Sequence, residues 1–220
     1  VLSLSLLLSL FLLMACGGGN AELDKPLPTP APPTAGTRIN PREVADFTLT
    51  SQTGEPFSLS DARGKVVLLY FGYTFCPDIC PTTLADFVRV KQNLGSAADE
   101  VVFLFVSVDG ERDTPEVIKR YLAAFDTDFV GVTGEEQEIR KVGVDYGLFF
   151  EKQKVEGTSA SYLVDHTAAS FLLDQQGRLR ITYPYGIPPE VITTDILNLL
   201  EGDLDAEDEP NGDSSGDDTT

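Results

Sequence analysis

Two long apolar runs, Lys65–Tyr73 (KVVLLYFGY) and Val101–Asp109 (VVFLFVSVD), constrain this chain most. Each is continuous and rich in β-branched and aromatic residues, which fits a strand buried on both faces. Between them, Pro81 opens a stretch with Leu84, Phe87, Val88 and Lys91 at helical spacing. Strand, helix and strand in that order make a βαβ unit with a sheet covered on its two sides.

Shorter signals extend this frame. Asp46–Thr50 and Glu55–Ser60, separated by Ser-Gln-Thr-Gly, predict an N-terminal β-hairpin. Thr114, Pro115 and Glu116 read as N-cap, first helical residue and first-turn acid of a helix to about Phe125. A short helix is expected over Glu135–Val142, and a last one over about Pro189–Leu200. Ser161–Leu173 and Arg178–Tyr183 are expected to pair as a hairpin around Asp174–Gly177. The fold class is α/β: a mixed central sheet flanked by helices, as in the thioredoxin-like fold.

The flanks read differently. Residues 1–15 are uncharged and mostly Leu, too short for a membrane span and suited to a secretory signal. Residues 17–41 begin Gly-Gly-Gly-Asn and carry prolines at 26, 28, 30, 32, 33 and 41, a flexible and extended tether. From 202 to 220 the chain is acidic, poor in apolar residues and expected to be disordered. The folded domain is therefore expected over 42–201, as one domain of roughly 160 residues. Net charge is −19, and the 200 residues before position 201 still hold 26 acids against 16 bases. Such a chain repels phosphate, which excludes nucleic acid as a partner.

The reactive inventory is three cysteines and one histidine. Cys76 and Cys80 lie where the first buried strand meets a helix, in Phe75-Cys76-Pro77-Asp78-Ile79-Cys80-Pro81. With Pro81 as first helical residue, Cys80 is expected at the N-cap and Cys76 on an exposed turn just before it. The positive end of the helix then favours thiolate at both. Two uses follow: a reversible disulfide between Cys76 and Cys80, or a pair of soft ligands for one metal. His166 is the one imidazole available, although spacing alone does not bring it to the cysteines. Two thiolates with one imidazole suit Cu(I), or Cu(II) with further ligands, and zinc would usually want a fourth protein ligand. Asp78 could tune the thiols or be a solvated acid. Asp165 could orient the imidazole or stabilise a turn. Tyr73, Phe75 and Tyr162 could wall the site or belong to the core. The acids of Asp109–Asp113 are read as helix capping and surface ion pairs.

Three segments resemble the motifs of the SCO/SenC family: Phe71–Pro81, Val108–Pro115 and Tyr162–Thr167. The likeness runs from about Val44 to Leu200, with Gly110 standing where that family often has Pro. It implies a thioredoxin-like fold with Cys76, Cys80 and His166 as ligands of one copper ion. It also implies delivery of copper, or of reducing equivalents, to the binuclear copper centre of cytochrome c oxidase subunit II, by a domain expected to be monomeric. Leu13-Met14-Ala15-Cys16-Gly17 is similar to the lipobox of bacterial lipoproteins, implying a signal peptide over 1–16 and lipid attachment at Cys16. The other reading of this segment is an uncleaved signal anchor. A lipid anchor would hold the domain on the extracytoplasmic face of the cytoplasmic membrane, where disulfides also persist.

Three functions compete. A metallochaperone has a definite use for His166. A thiol–disulfide oxidoreductase uses only the cysteine pair; here the spacing is CxxxC where thioredoxins have CxxC, and Ser161–Thr167 lacks the proline that such enzymes place opposite the pair. A peroxidase would use Thr74 and Cys76, but its Arg partner is not identifiable.

Overall fold

A computed structural model describes residues 35–154 and 161–202. The expected signal peptide with Cys16, the tether before residue 35 and the acidic tail after 202 lie outside the described residues. The elements in chain order are β1 (Thr37–Glu43), β2 (Thr48–Ser51), β3 (Pro56–Ser58), β4 (Val66–Gly72), α1 (Ile79–Leu94), β5 (Val101–Ser107) and α2 (Pro115–Leu122). There follow β6 (Val130–Thr133), α3 (Glu136–Gly143), β7 (Phe150–Lys154), β8 (Tyr162–His166), β9 (Ala169–Leu173), β10 (Arg178–Pro184) and α4 (Pro189–Glu201).

Eight strands form one mixed sheet in the order β1-β10-β9-β4-β5-β6-β2-β3. Its centre is the expected βαβ unit: β4 pairs in parallel with β5, from Val66 opposite Val101 to Gly72 opposite Ser107. β5 pairs in parallel with β6, whereas β9 runs antiparallel against β4. Every residue of β4 is buried. Neighbouring residues show why: the Tyr70 ring meets Phe87 of α1 at 6.4 Å, while Phe71 points the other way and meets Tyr146 at 5.3 Å. A strand covered on both faces has no polar side to alternate with, and hence reads as a continuous apolar run.

The predicted N-terminal hairpin is β2–β3, at the sheet edge beside β6. Thr114 caps α2 as expected, its hydroxyl accepting from the Val117 N–H, with Pro115 first in the helix. Two expectations need correction, and two strands are new. Residues 37–41, assigned to the tether, belong to β1, which pairs with β10 and is tied by Arg38 to Asp195 at 3.3 Å. Its polar sequence suits an edge strand, and its register shift spans Arg38 to Arg42, where Pro41 has no N–H to donate. Ser161–Leu173 is not one strand: it splits into β8 and β9, and only β9 pairs with β10. β8 instead pairs with β7 in a separate two-stranded sheet. β6 and β7 were not anticipated; β6 is four residues long, and β7 buries only Phe150.

The contact of α2 with β6 depends on Gly131. A Cβ there would fall 2.3 Å from Ile118 Cγ2 and 2.6 Å from Leu122 Cδ1. Gly131→Ala should therefore overpack this layer and destabilise the domain by about 1–3 kcal/mol. A lowered urea midpoint with an unchanged slope is the expected result.

Candidate metal centre

β4 delivers the chain to the site. After Gly72 it runs through Tyr73, Thr74, Phe75, Cys76 and Pro77 to Asp78, the N-cap of α1. The helix thus starts two residues earlier than its proline suggests, and Cys80 is not the N-cap but lies inside the first turn. Pro81 still fits, because first-turn N–H groups have no partner within a helix. The shift has a chemical consequence: Cys80 is fully buried, while Cys76 stays partly open. The expectation of two exposed cysteines on a turn is therefore wrong for Cys80. Gly72 makes room for it. A Cβ on Gly72 would come within 2.8 Å of Tyr70, 2.9 Å of Phe105 and 3.1 Å of Cys80 Sγ.

The sulfurs sit among oriented donors. The Cys80 N–H points at Cys76 Sγ, 3.5 Å away, and the Tyr70 hydroxyl donates to Cys80 Sγ at 3.4 Å. Both cysteines are free thiols. A hydrogen bond from Cys80 holds the Cys76 thiol well below the usual range, against the effect of burial, with further help from the backbone N–H groups of Asp78 and Cys80. Cys80 shifts upward, because it is the donor to Cys76 and because it is buried. Of the pair, Cys76 is thus the readier to lose its proton, and Cys80 the readier to keep one.

His166 ends β8 and reaches the same place. Its Nε2 lies 3.5 Å from Cys80 Sγ, and its Nδ1 is 3.1 Å from the Thr167 carbonyl. A carbonyl only accepts, so the proton sits on Nδ1 and the Nε2 lone pair faces the sulfurs. Tyr70 and Tyr73 meet the imidazole edge-on at 6.0 and 5.8 Å. One ligand atom from each of Cys76, Cys80 and His166 lies within 4.8 Å of the others. Two sulfurs and an imidazole nitrogen with its lone pair turned inward fit a soft ion such as copper. Among the described residues no other cluster of three potential ligands is present.

The sequence pattern of the SCO1/SenC family matches residues 35–201. The chain belongs to the SCO1/SenC family. A relative, the SCO2-like protein of Rickettsia felis, is 34% identical over 181 residues, covering 80% of this chain and 88% of its own. The copper-bound structure of Bradyrhizobium japonicum ScoI is 37% identical, with a TM-score of 0.65, covering 71% of this chain and 98% of that one. A SCO1/SenC family lipoprotein from Bacillus anthracis is 29% identical, with a TM-score of 0.63, covering 74% and 97%. These neighbours share the thioredoxin-like fold expected for this chain.

Within this SCO1/SenC domain the residues around the ligands differ from expectation. Asp165 does not orient the imidazole: it is exposed, on the opposite face of β8 from His166, and the Thr167 carbonyl takes its place. Asp78 is exposed and its side chain caps nothing; its backbone N–H is what supports Cys76. Of the three aromatics, Tyr73 lies against His166, Phe75 is 51% exposed, and Tyr162 faces Arg112.

Of the three acids in the 109–113 loop, Glu111 is in the expected surface ion pair, with Lys152 at 2.7 Å, but the other two are not. Asp109 and Asp113 are buried. Asp113 accepts from the Thr74 N–H at 2.9 Å, the Thr74 hydroxyl at 2.6 Å and the Ser107 hydroxyl at 2.6 Å. Its carboxyl is shifted upward by burial, which these bonds oppose. Gly110 is also fitted to its place, since a Cβ there would stand 2.1 Å from the Gly134 carbonyl oxygen. Sequence reasoning missed Tyr70, Thr74, Ser107, Asp113 and Thr167 as supports of the site. None carries a local signal, because each acts through a partner distant in the chain or through its backbone.

The unequal thiols predict unequal reactivity. Iodoacetamide should label Cys76 ahead of Cys80, read by peptide mass spectrometry. Because the Cys76 shift is downward, its rate should hold between pH 8 and pH 6, where an ordinary thiol slows roughly 100-fold. A Cys76 rate that falls like that of a free thiol would contradict the downward shift.

Proposed function

We propose that this domain is a membrane-tethered copper metallochaperone that binds one copper ion through Cys76, Cys80 and His166. It serves assembly of the binuclear copper centre of cytochrome c oxidase, with subunit II as the recipient. The observation that carries this reading is the convergence of the three side chains, with the His166 lone pair aimed inward and its other nitrogen tied to Thr167. Family membership and the copper-bound relative from Bradyrhizobium japonicum support it. Two sulfurs favour Cu(I), and the partly open Cys76 is the ligand that an incoming acceptor thiol could reach first.

Anaerobic titration of the reduced protein with Cu(I), against a competing chelator, tests this function. Wild type should bind one equivalent. Loss of groups that merely orient a ligand costs about 10–100-fold in affinity, so His166→Ala, which removes a ligand, should lose at least about 100-fold. Equal affinity in both proteins would reduce His166 to a structural residue.

The inequality of the cysteines also fits a second reading, thiol–disulfide exchange on the cysteines of the oxidase subunit. The Cys76 thiolate would attack a substrate disulfide, forming a mixed disulfide and releasing one substrate thiolate. Cys80, on losing its proton, would attack Cys76 sulfur and release the second, leaving Cys76–Cys80 oxidised for a thiol reductant to restore. Reduction of an oxidised dithiol peptide by His166→Ala at the wild-type rate would favour this reading.

The location proposed is the extracytoplasmic face of the cytoplasmic membrane, through a lipid on Cys16 and the Gly/Pro-rich segment after it. A lipoprotein among the solved relatives supports this. Replacing Cys16 with Ser should move the protein out of the detergent-phase, membrane-bound fraction, as judged by phase partition of cell extracts.

A further inference from the structure

His166 rides on an element that the main sheet does not hold. β8 pairs only with β7, so the register of the eight-stranded sheet does not fix the imidazole against the sulfurs. The buried Phe150 and Val164 anchor this pair of strands, and polar contacts to the 109–113 loop fix its ends. Arg112 Nη1 donates to the Tyr162 carbonyl at 2.9 Å, at the first residue of β8. Its guanidinium also lies 3.7 Å from the Tyr162 ring centroid, and its Nε donates to Asp109 at 2.5 Å. The Tyr162 hydroxyl closes the circuit by donating to the other Asp109 oxygen at 2.7 Å. On β7, Lys152 reaches Glu111 of the same loop at 2.7 Å. The loop's far end holds the cysteine turn, since Asp113 grips both the N–H and the hydroxyl of Thr74. One five-residue segment thus joins the two ligand-bearing pieces of chain.

We propose that Arg112, with Asp109 and Tyr162, is a positioning clamp that sets the distance from the His166 imidazole to the two sulfurs. The copper part of its test rests on the three-ligand reading above. The geometry calls for arginine in particular. Only a flat fork offers one N–H to a carboxylate and another to a carbonyl while its face covers a ring. A lysine has the charge but neither the fork nor the face.

The single histidine supplies a metal-free readout. In the reduced, copper-free protein the His166 ring protons give one set of NMR signals, displaced by the edge-on Tyr70 and Tyr73 rings. Arg112→Ala and Arg112→Lys should both move these signals toward free-peptide positions while the far-ultraviolet circular dichroism stays unchanged. Tyr162→Phe removes only the hydroxyl to Asp109, and should shift them in the same direction by less. It carries the test if the arginine variants do not fold. A double-mutant cycle gives the second readout. Arg112→Ala should weaken Cu(I) binding about 10–100-fold in the wild-type background, and not at all beside His166→Ala. His166 signals that stay put in every folded clamp variant would overturn the proposal, as would an equal loss of affinity in both backgrounds. If His166→Ala alone leaves Cu(I) affinity unchanged, the copper reading fails, and the NMR result still decides whether the clamp positions the imidazole.

Discussion

The Asp113 carboxylate is the contact around which the metal centre is arranged. It is buried and has no cationic partner, so its three hydroxyl and amide donors must satisfy it. An unmet buried carboxylate is costly, which means Thr74 and Ser107 cannot drift from it without penalty. Thr74 stands two residues before Cys76, and Ser107 closes β5, the parallel neighbour of β4. The strand ends and the cysteine turn are thereby locked into one arrangement. The Cys80 thiol then falls into the space that Gly72 leaves, beneath the Tyr70 hydroxyl.

How much of this is legible in the sequence depends on whether the cause is local. β4 and β5 announce themselves because burial on both faces selects apolar residues without interruption. The start of α2 is equally plain, since Thr114 and Pro115 act within one turn of where they stand. The ligands Cys76, Cys80 and His166 were read as candidates from chemistry and family likeness, and the structure brings them together. What escaped was caused at a distance. β1 is polar and contains Pro41, and it is a strand only because β10 offers an edge. β7 is a strand only because β8 lies beside it. Asp165 looked like a partner for His166 by adjacency, but strand alternation sends neighbouring side chains to opposite faces. Asp109 and Asp113 looked like surface acids because nothing near them in sequence reveals that Tyr162 and Thr74 would fold over them.

The burial of Cys80 changes the chemistry one should expect of the pair. Equal, exposed thiols would share a proton evenly and present two attack points. Here one sulfur is reachable and shifted toward the thiolate, and the other is buried and shifted toward the thiol. Ligand exchange and disulfide exchange both begin with a nucleophile at the open sulfur, so this asymmetry serves either chemistry. It does not by itself choose between them. His166 favours ligand exchange, because disulfide exchange makes no demand on an imidazole whose lone pair faces the sulfurs.

The donors also differ in how firmly they are held. The two cysteines rest on β4 and α1, whose positions are fixed by the buried aromatic and aliphatic side chains of the main sheet. His166 rests on a two-stranded sheet, and a pair of strands is marginally stable without support. Its support is both polar, from Arg112, Asp109 and Glu111, and apolar, through the buried Phe150 and Val164. Hydrogen bonds contribute about 0.5–1.5 kcal/mol each, or about 1.5–3 where a charge is involved. Burial of Phe150 and Val164 adds about 1.5–3 kcal/mol each, so the hairpin is held by both kinds of contact. The imidazole and the sulfurs are thus carried on two pieces of chain with separate supports, joined by the 109–113 loop.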